Sequence, residues 1–498
     1  MFETELKFQV PAEAARAVRT AMVAAAPRRQ RLQAIYFDTA DGELGRAGMA
    51  LRLRREGARW VQTLKARGAN AAQRHEHNVL LPRGRVDGAS RPLLVRHAGT
   101  PAALAWAEAL GEPMEAFAAA RLQPVMATDI WRRSVVLRGE GYAVELAFDE
   151  GEVRAAGRVA LVCELEYELL EGTLADLARL AGEGIERHGL FLDTVSKAER
   201  GELLARGGAW PKAVRFHAAR RAPATGSGAA WWQDALGRCA AMVLPNASAL
   251  ANGSTDPDHV HQLRVGIRRL RTAAKELGPL AGCFDEPGWL PPLVALFRAL
   301  GAGRDAASLH ATLAPQLQAA GAPLTDWRGP GEAPLADPAA LVRQPGVQHA
   351  LLGLLVDAAA APAGVGPDAD ATAAQLRERL AHLWRQVLRA GRRFEQLPEP
   401  AQHQARKRLK RLRYLAQFAG LALAKPRALS RWLKAAGTAQ DVLGVHQDRL
   451  VALPLYRAAA EHRPEAWFAV GWLSAELHTS ARACRQALAR LADAKRFW

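Results

Sequence analysis

Glu3-Thr4-Glu5-Leu6-Lys7-Phe8 sets charged side chains at every second position near the start of the chain. On a strand, alternate side chains point to opposite faces, so Glu3, Glu5 and Lys7 share one face while Leu6 and Phe8 take the other. Arg52 and Arg54 repeat the pattern against Leu51 and Leu53. Arg74 with Glu76, Glu145 with Asp149, and Glu164, Glu166 and Glu168 do so again. One such strand would normally be a solvated sheet face. Six recurring segments of this kind, from ETELKFQV to VALVCELEYELL, predict something else. They predict a closed antiparallel β-barrel whose lumen is lined by carboxylates and cations together. The helical stretches Ala12–Ala26 and Leu174–Arg187 make this an α+β region.

The charge balance supports that division of the chain. The 498 residues carry a net charge of +17. Residues 1–205 hold 28 basic and 28 acidic side chains, so the whole surplus falls in the 39 basic and 22 acidic residues of 206–498. A surplus of this size predicts a polyanionic partner: nucleic acid, anionic membrane or phosphate polymer. With 49% hydrophobic and 23% charged residues, the composition is that of a globular protein and excludes a mostly disordered chain. Cys163, Cys239, Cys283 and Cys484 form no CxxC pair and read as isolated thiols of a reducing compartment. Neither a signal peptide nor an apolar run long enough to span a bilayer is apparent, and a cytoplasmic protein is expected.

A lumen holding both signs of charge suits phosphate chemistry. Clustered carboxylates hold Mg²⁺ or Mn²⁺ through oxygen, and Arg and Lys neutralise phosphate oxygens. Phosphoryl transfer needs little beyond positioning, charge neutralisation and an oriented water. The glycine signatures of the common phosphate-binding loops are missing.

The ordered series Glu3-x-Glu5-x-Lys7, Tyr36-Phe37-Asp38-Thr39, Arg52/Arg54, Lys65, Arg74-x-Glu76, Glu164-Leu-Glu166-Tyr-Glu168 and Ser196-Lys197-Ala198-Glu199-Arg200-Gly201 resembles the CYTH, or triphosphate tunnel metalloenzyme, superfamily. That resemblance covers residues 1–205 and implies an eight-stranded tunnel. It implies Glu3, Glu5, Glu164 and Glu166 as metal ligands for Mg²⁺ or Mn²⁺. Lys7, Arg52, Arg54, Lys65, Arg74, Arg132 and Lys197 are implied to bind substrate phosphates, with Arg132 favoured over Arg133. Glu76, Glu145 and Asp149 are expected to hold a second metal or to position water, beside Glu3, Glu5 and Lys7 in catalysis. Glu168 is open between the site and a salt bridge. His75 and His77, on the opposite face, read as surface histidines.

Gly207–Gly228 lacks periodicity and reads as a linker (206–228), after which the pattern becomes helical throughout 229–498. Here His261, Arg264, Arg268, Arg269 and Arg271 recur at the same offsets as His403, Arg406, Lys410, Arg411 and Arg413. Leu300-Gly301 with Asp305 likewise matches Leu443-Gly444 with Asp448. Two matches at nearly one shift predict an all-α domain built from a duplicated helical unit. On a helix, offsets 0, 3, 7 and 10 fall within an arc of about 80°, forming one basic stripe per copy, with Arg269 and Arg411 flanking. Like charges so placed repel, and a bound anion would resolve the cost. The motif resembles the CHAD domain, including Arg304-Asp305, which implies inorganic polyphosphate as the anion. No helix-turn-helix, zinc-finger or base-stacking signature accompanies the stripes, which disfavours nucleic acid.

The two resemblances together imply a cytoplasmic, metal-dependent inorganic triphosphatase cleaving PPPi to PPi and Pi, tethered to polyphosphate and its granules. Two alternatives stand beside it: a class IV-type adenylate cyclase and a non-catalytic polyphosphate-binding protein.

Overall fold

The computed structural model describes residues 2–25, 27–68, 72–82, 90–219, 221–301, 312–324, 337–361 and 366–498. Arg304-Asp305, part of the expected second repeat match, lies outside them. The chain forms two compact units. One comprises Met1–Arg215, Ala240–Leu263 and Pro338–Ala359; the other comprises Phe216–Cys239, Arg264–Asp337 and Ala360–Trp498.

The first unit is built on nine strands: β1 (Phe2–Gln9), β2 (Arg28–Asp38), β3 (Met49–Glu56), β4 (Arg59–Arg67), β5 (Gln73–Leu80), β6 (Gln123–Gly139), β7 (Tyr142–Ala155), β8 (Arg158–Glu171) and β9 (Phe191–Leu192). Their order is β5-β4-β3-β2-β6-β7-β8-β1-β9, and β1 also pairs with β5. The division of labour along β1 closes the barrel. Phe2–Thr4 pair with β5 and Glu5–Gln9 pair with β8, all antiparallel. Eight strands thus form the closed wall, and the two-residue β9 adds to β1. Closure leaves no long unpaired edge.

Around β3 and β4 the wall is charged inside and apolar outside. Leu51, Leu53 and Leu64 share one buried cluster with Leu44 of α2 (Glu43–Arg46) and with Trp106 of α3 (Pro101–Leu110). Their strand neighbours Arg52, Arg54 and Lys65 line the lumen. The hydrophobic effect therefore acts here on the outer face, where the strands bury against helices. α4 (Leu174–His188) starts with a capping box between Thr173 and Asp176 and ends at Gly189 with positive φ. α5 (Lys197–Ala205), capped by Ser196, packs against β6, β7 and β8, and against an apolar patch that Leu32, Tyr36, Met126 and Ile130 give the lumen face. Its approach is close enough that a β-carbon at Gly201 would collide with Met126 Sδ.

Beyond the barrel the chain is helical and forms the second unit, apart from residues 240–263 and 338–359, which belong to the first. α6 (Gly228–Ala251) and α7 (Pro257–Glu276) begin the helical part of the chain, followed by α8 (Leu290–Ala299). The later helices run over Pro338–Arg343, Pro345–Ala359, Ala369–Arg392, Glu399–Ala419, Pro426–Ala460 and Ala466–Asp493. The two copies of the repeated motif lie on α7 and on the Glu399–Ala419 helix. Leu263, Ile267 and Leu270 of one, and Leu409 and Leu412 of the other, are fully buried. The apolar sector of each amphipathic helix thus faces inward. Among the described residues, no helix is long and apolar enough to cross a membrane.

Candidate active site

The lumen encloses a cavity of about 980 Å³. The period-two alternation places Glu3, Glu5 and Lys7 of β1 on its wall, with Arg52 and Arg54 of β3, Lys65 of β4, Arg74 and Glu76 of β5, Glu145 and Asp149 of β7, and Glu166 and Glu168 of β8. Lys197 enters from the first turn of α5. The neighbours Arg132 and Arg133 part company: Arg132 lines the lumen, and Arg133 pairs with Glu150 at 2.6 Å.

Register decides which carboxylates meet. Asp149 on β7 lies opposite Glu164 on β8, and two residues along the same face comes Glu166. Oxygens of Asp149, Glu164 and Glu166 lie within 4.8 Å of one another. Asp149 and Glu164 are fully buried. Three carboxylates this close repel strongly, and cations hold them. Lys197 Nζ lies 2.7 Å from Asp149 and 2.8 Å from Glu166, and also pairs with Glu164. Arg132 donates through Nε and Nη2 to Asp149 at 2.7 and 2.6 Å and also to Glu166. Burial opposes ionisation of Glu166, but Lys197 and Arg132 more than offset it and hold its carboxyl well below the usual range.

The two carboxylates of β1 stand apart from this triad. Glu3 shares Lys65 with Glu76, with Lys65 Nζ 2.6 Å from Glu3, and Glu5 accepts from Arg74 Nε at 3.1 Å. Burial raises the Glu3 carboxyl and its hydrogen bond with Glu76 adds to the shift. Lys65 and Glu3 instead hold Glu76 ionised against its own burial. Burial also raises Glu168, helped by Glu145 and Glu5, with Lys65 opposing. On the far wall Arg52 donates to Tyr36 Oη at 3.3 Å, and Arg54 pairs with Glu56.

Asp193 and Gln9, which sequence reasoning did not single out, join the site with Glu199 and Arg200, which stood in the Ser196–Gly201 motif without an assigned role. Asp193 accepts from Gln9 Nε2 at 2.7 Å and from Arg200 Nη2 at 2.9 Å. Gln9 continues the face of Glu3, Glu5 and Lys7, and Arg200 follows Lys197 by three residues on α5, so the signal for both was present. Lys7 Nζ is buried with no hydrogen-bond partner among the described residues; Asp193 is 3.5 Å away and Glu164 3.8 Å. The ordinary expectation for a buried ammonium is full pairing. An ammonium held only by ion pairs longer than a hydrogen bond, on the wall of a cavity, suits an anionic ligand. His77, expected at the surface, instead packs against buried His97, with their Nδ1 atoms 2.8 Å apart.

Within the second unit, Arg268 of α7 and Arg406, Lys410 and Arg413 of the Glu399–Ala419 helix lie close enough for their charges to repel. Lys410 is pushed down to about 7 by burial, and Arg406, Arg268 and Arg413 add to the shift while Asp448 opposes it. Arg264 and Arg268 lie over Phe297, with guanidinium carbons 4.9 and 5.6 Å from the ring centre. Nε of Arg268 and of Arg413 is buried with no hydrogen-bond partner among the described residues. His403 Nδ1 contacts Gln447 Oε1 at 2.7 Å. The flanking pair is engaged elsewhere. Arg269 is stacked between Phe216 and Tyr414, 3.9 and 4.3 Å from their ring centres, and Arg411 pairs with buried Glu276. His261 and Arg271 lie on α7 with Arg264 and Arg268.

Residues 1–201 match the CYTH domain and residues 234–457 the CHAD domain. The chain carries a CYTH domain followed by a CHAD domain. An inorganic triphosphatase of Haemophilus influenzae is 28% identical to this CYTH–CHAD chain over 172 residues, which make up 34% of the chain and 44% of that protein. The chain therefore spans less than half the length of that relative. Among solved structures, the CHAD domain from the plant Ricinus communis is 26% identical with a TM-score of 0.44, covering 57% of this chain and 97% of that one. A putative adenylyl cyclase from Hippeastrum, described as having a dominant triphosphatase activity, is 19% identical with a TM-score of 0.31, covering 42% and 98%.

Proposed function

We propose that this CYTH–CHAD protein is a metal-dependent inorganic triphosphatase that hydrolyses PPPi to PPi and Pi inside the barrel. The observation that carries this reading is one closed lumen holding both an acidic triad and a wall of cations, among them the Lys7 ammonium, which makes ion pairs at 3.5 and 3.8 Å but no hydrogen bond among the described residues. Lys7, Arg52, Arg54, Lys65, Arg74 and Arg132 present donors along the cavity, which suits a chain of phosphates. A short polyanion there replaces the ion pairs that these cations now make with carboxylates.

A divalent cation fits the donor set. Asp149, Glu164 and Glu166 are hard oxygen ligands, converging closely enough that an ammonium already sits among them. Those three would hold it, with Glu3 and Glu5 as further candidates beside Lys65 and Arg74. When bound, Mg²⁺ or Mn²⁺ supplies neutralisation of phosphate oxygens and a positioned water. The chain's own groups do the rest. The cations fix the phosphates in line and stabilise charge on the leaving pyrophosphate, while lumen carboxylates such as Glu76 and Glu145 accept hydrogen bonds from water. With a cation among the three carboxylates, the Lys197 ammonium would be available to a phosphate oxygen.

We further propose that the cations of the second unit, Arg264, Arg268, Lys410, Arg413 and Arg406 with His403, bind inorganic polyphosphate. The unpartnered Nε groups and the destabilised Lys410 charge support an anionic ligand there.

Phosphate release from PPPi, ATP and thiamine triphosphate with Mg²⁺ or Mn²⁺ tests the catalytic reading, with chromatography to detect cyclic AMP. The expected result is PPPi hydrolysis lost by at least about 100-fold in Glu166→Gln. No hydrolysis by the intact protein, or cyclic AMP as product, overturns it. Salt-dependent binding of long-chain polyphosphate and duplex DNA tests the second. Tighter binding of DNA at matched charge overturns it.

A further inference from the structure

Asp193 is the carboxylate through which the end of the lumen is tied to the helices outside the barrel. It is buried, and its two oxygens have separate duties. Oδ2 faces the lumen, where Gln9 and Arg200 donate to it and Lys7 Nζ stands at 3.5 Å. Oδ1 faces away, accepting from the Val195 backbone N–H at 2.9 Å and from Ser248 Oγ at 3.0 Å. The Ser248 hydroxyl also accepts from the Thr194 N–H at 3.1 Å. A hydroxyl offers one proton, so donating to Asp193 while accepting from Thr194 fixes its direction.

One residue earlier in the chain the same docking is repeated. Leu192 pairs with Phe8 of β1, and its N–H donates to Gln348 Oε1 at 2.8 Å. Gln348 is itself fully buried, and its Nε2 donates to Val342 O at 2.8 Å. Arg343 stacks on Phe191, 4.4 Å from the ring centre, while its Nε donates to Ala251 O at 2.7 Å. Ser248, Arg343 and Gln348 all lie within the CHAD-matched residues 234–457, yet belong to the compact unit of the tunnel.

We propose that Ser248, supported by Gln348, is a positioning residue of the tunnel, so that the active site is completed by helical segments 240–263 and 338–359. Ser248 acts through Asp193. By holding Oδ1 it aims Oδ2 at Lys7, Gln9 and Arg200, and these in turn face Glu164 of the acidic triad. Removing the hydroxyl leaves a buried carboxylate oxygen and the Thr194 N–H each short of a partner, and the carboxylate is free to rotate away from Lys7. This inference rests on the reading of the lumen as a phosphate site.

The test uses the full chain. In metal-free buffer, titration calorimetry compares inorganic triphosphate binding to wild type, Ser248→Ala and Ser248→Thr. The expected result is affinity weakened about tenfold in Ser248→Ala and restored to within about twofold by the threonine hydroxyl. KM for PPPi moves with it, whereas kcat per folded molecule changes less. A merely structural role would instead lower the folded fraction and leave KM unchanged, and that result overturns the proposal. A readout without substrate is labelling of Lys7 by an amine-reactive reagent, read by mass spectrometry. It accelerates in Ser248→Ala and not in Ser248→Thr; equal rates in all three also overturn the proposal. Should the alanine variant fail to fold, Ser248→Cys carries the same comparisons. Binding of PPPi without hydrolysis after metal addition refutes the triphosphatase reading while leaving this inference testable.

Discussion

Replacing Lys197 with Met removes the ammonium shared by three carboxylates, the buried Asp149 and Glu164 and the partly buried Glu166. Its contacts with Asp149 and Glu166, at 2.7 and 2.8 Å, each amount to about 6 kcal/mol of Coulombic attraction at an effective dielectric constant of about 20. The carboxylates, with oxygens up to 4.8 Å apart, repel by roughly 3.5 kcal/mol per pair on the same scale. Part of the lost attraction is returned because the lysine need not be desolvated, and breaking a buried ion pair costs about 3–5 kcal/mol in practice. The tunnel unit holds roughly 260 residues, so an unfolding entropy of about 2.1 cal/mol/K per residue converts this to a fall of about 5–9 °C in Tm. Differential scanning calorimetry of the full chain in EDTA measures it. Adding Mn²⁺ should then stabilise Lys197→Met more than wild type, because the variant offers the same oxygens without a competing ammonium; at 100 times Kd the gain is about 2.7 kcal/mol. A variant melting within about 1 °C of wild type in EDTA, or gaining no more from Mn²⁺, would refute the picture of a lysine-filled cation site.

Other perturbations follow from the same geometry. Gly201→Ala drives a methyl group into Met126 between α5 and the barrel, and should cost about 1–3 kcal/mol, read as a lower denaturant midpoint. His446 is pushed down to about 4 by burial, with Arg449 adding to the shift, and is bonded to Ser480 and Gln402. Because the unfolded chain takes up that proton first, near pH 6.5, the stability from neutral His446 is complete above that pH and is lost as pH falls toward 4. Urea titrations at pH 7 and pH 5 should show a drop that is smaller in His446→Gln. For Lys410, a bound polyanion favours the charged ammonium, so polyphosphate binding at pH 8 should take up protons. Calorimetry in buffers of different ionisation enthalpy measures the uptake; a heat independent of buffer contradicts the placement of Lys410.

The barrel was legible where alternation was strict. β1, β3 and β8 each show a clean period of two, and their apolar partners identify the outward face. β2 and β6 were not, because a doublet such as Arg132-Arg133 breaks the alternation and sends one arginine to each face. Membership of the acidic triad depended on which residues stand opposite across β7 and β8, and register is set by pairing partners that no single segment encodes. Glu3 and Glu5 share the face of Lys7, yet 69 residues of separation hide that Arg74 claims Glu5. Asp193 escaped notice because it follows a two-residue strand with no periodicity to read. Ser248 escaped because a lone serine on an apolar helix carries no signal without its partner. In the helical half, the repeated offsets exposed both basic stripes, but not that Arg269 is buried between two aromatic rings.

The inside-out construction of the barrel separates two kinds of selective pressure. Leu51, Leu53 and Trp106 keep the wall standing from without, while Arg52, Arg54 and the carboxylates work within. A charged lumen residue such as Arg52 or Arg54 can thus be exchanged without opening a void in the outer apolar packing, provided the exchange conserves charge. Rewriting what the tunnel accepts is in this sense an exercise in electrostatic balance. Such a shell can serve a succession of anionic substrates while its outer framework stays the same.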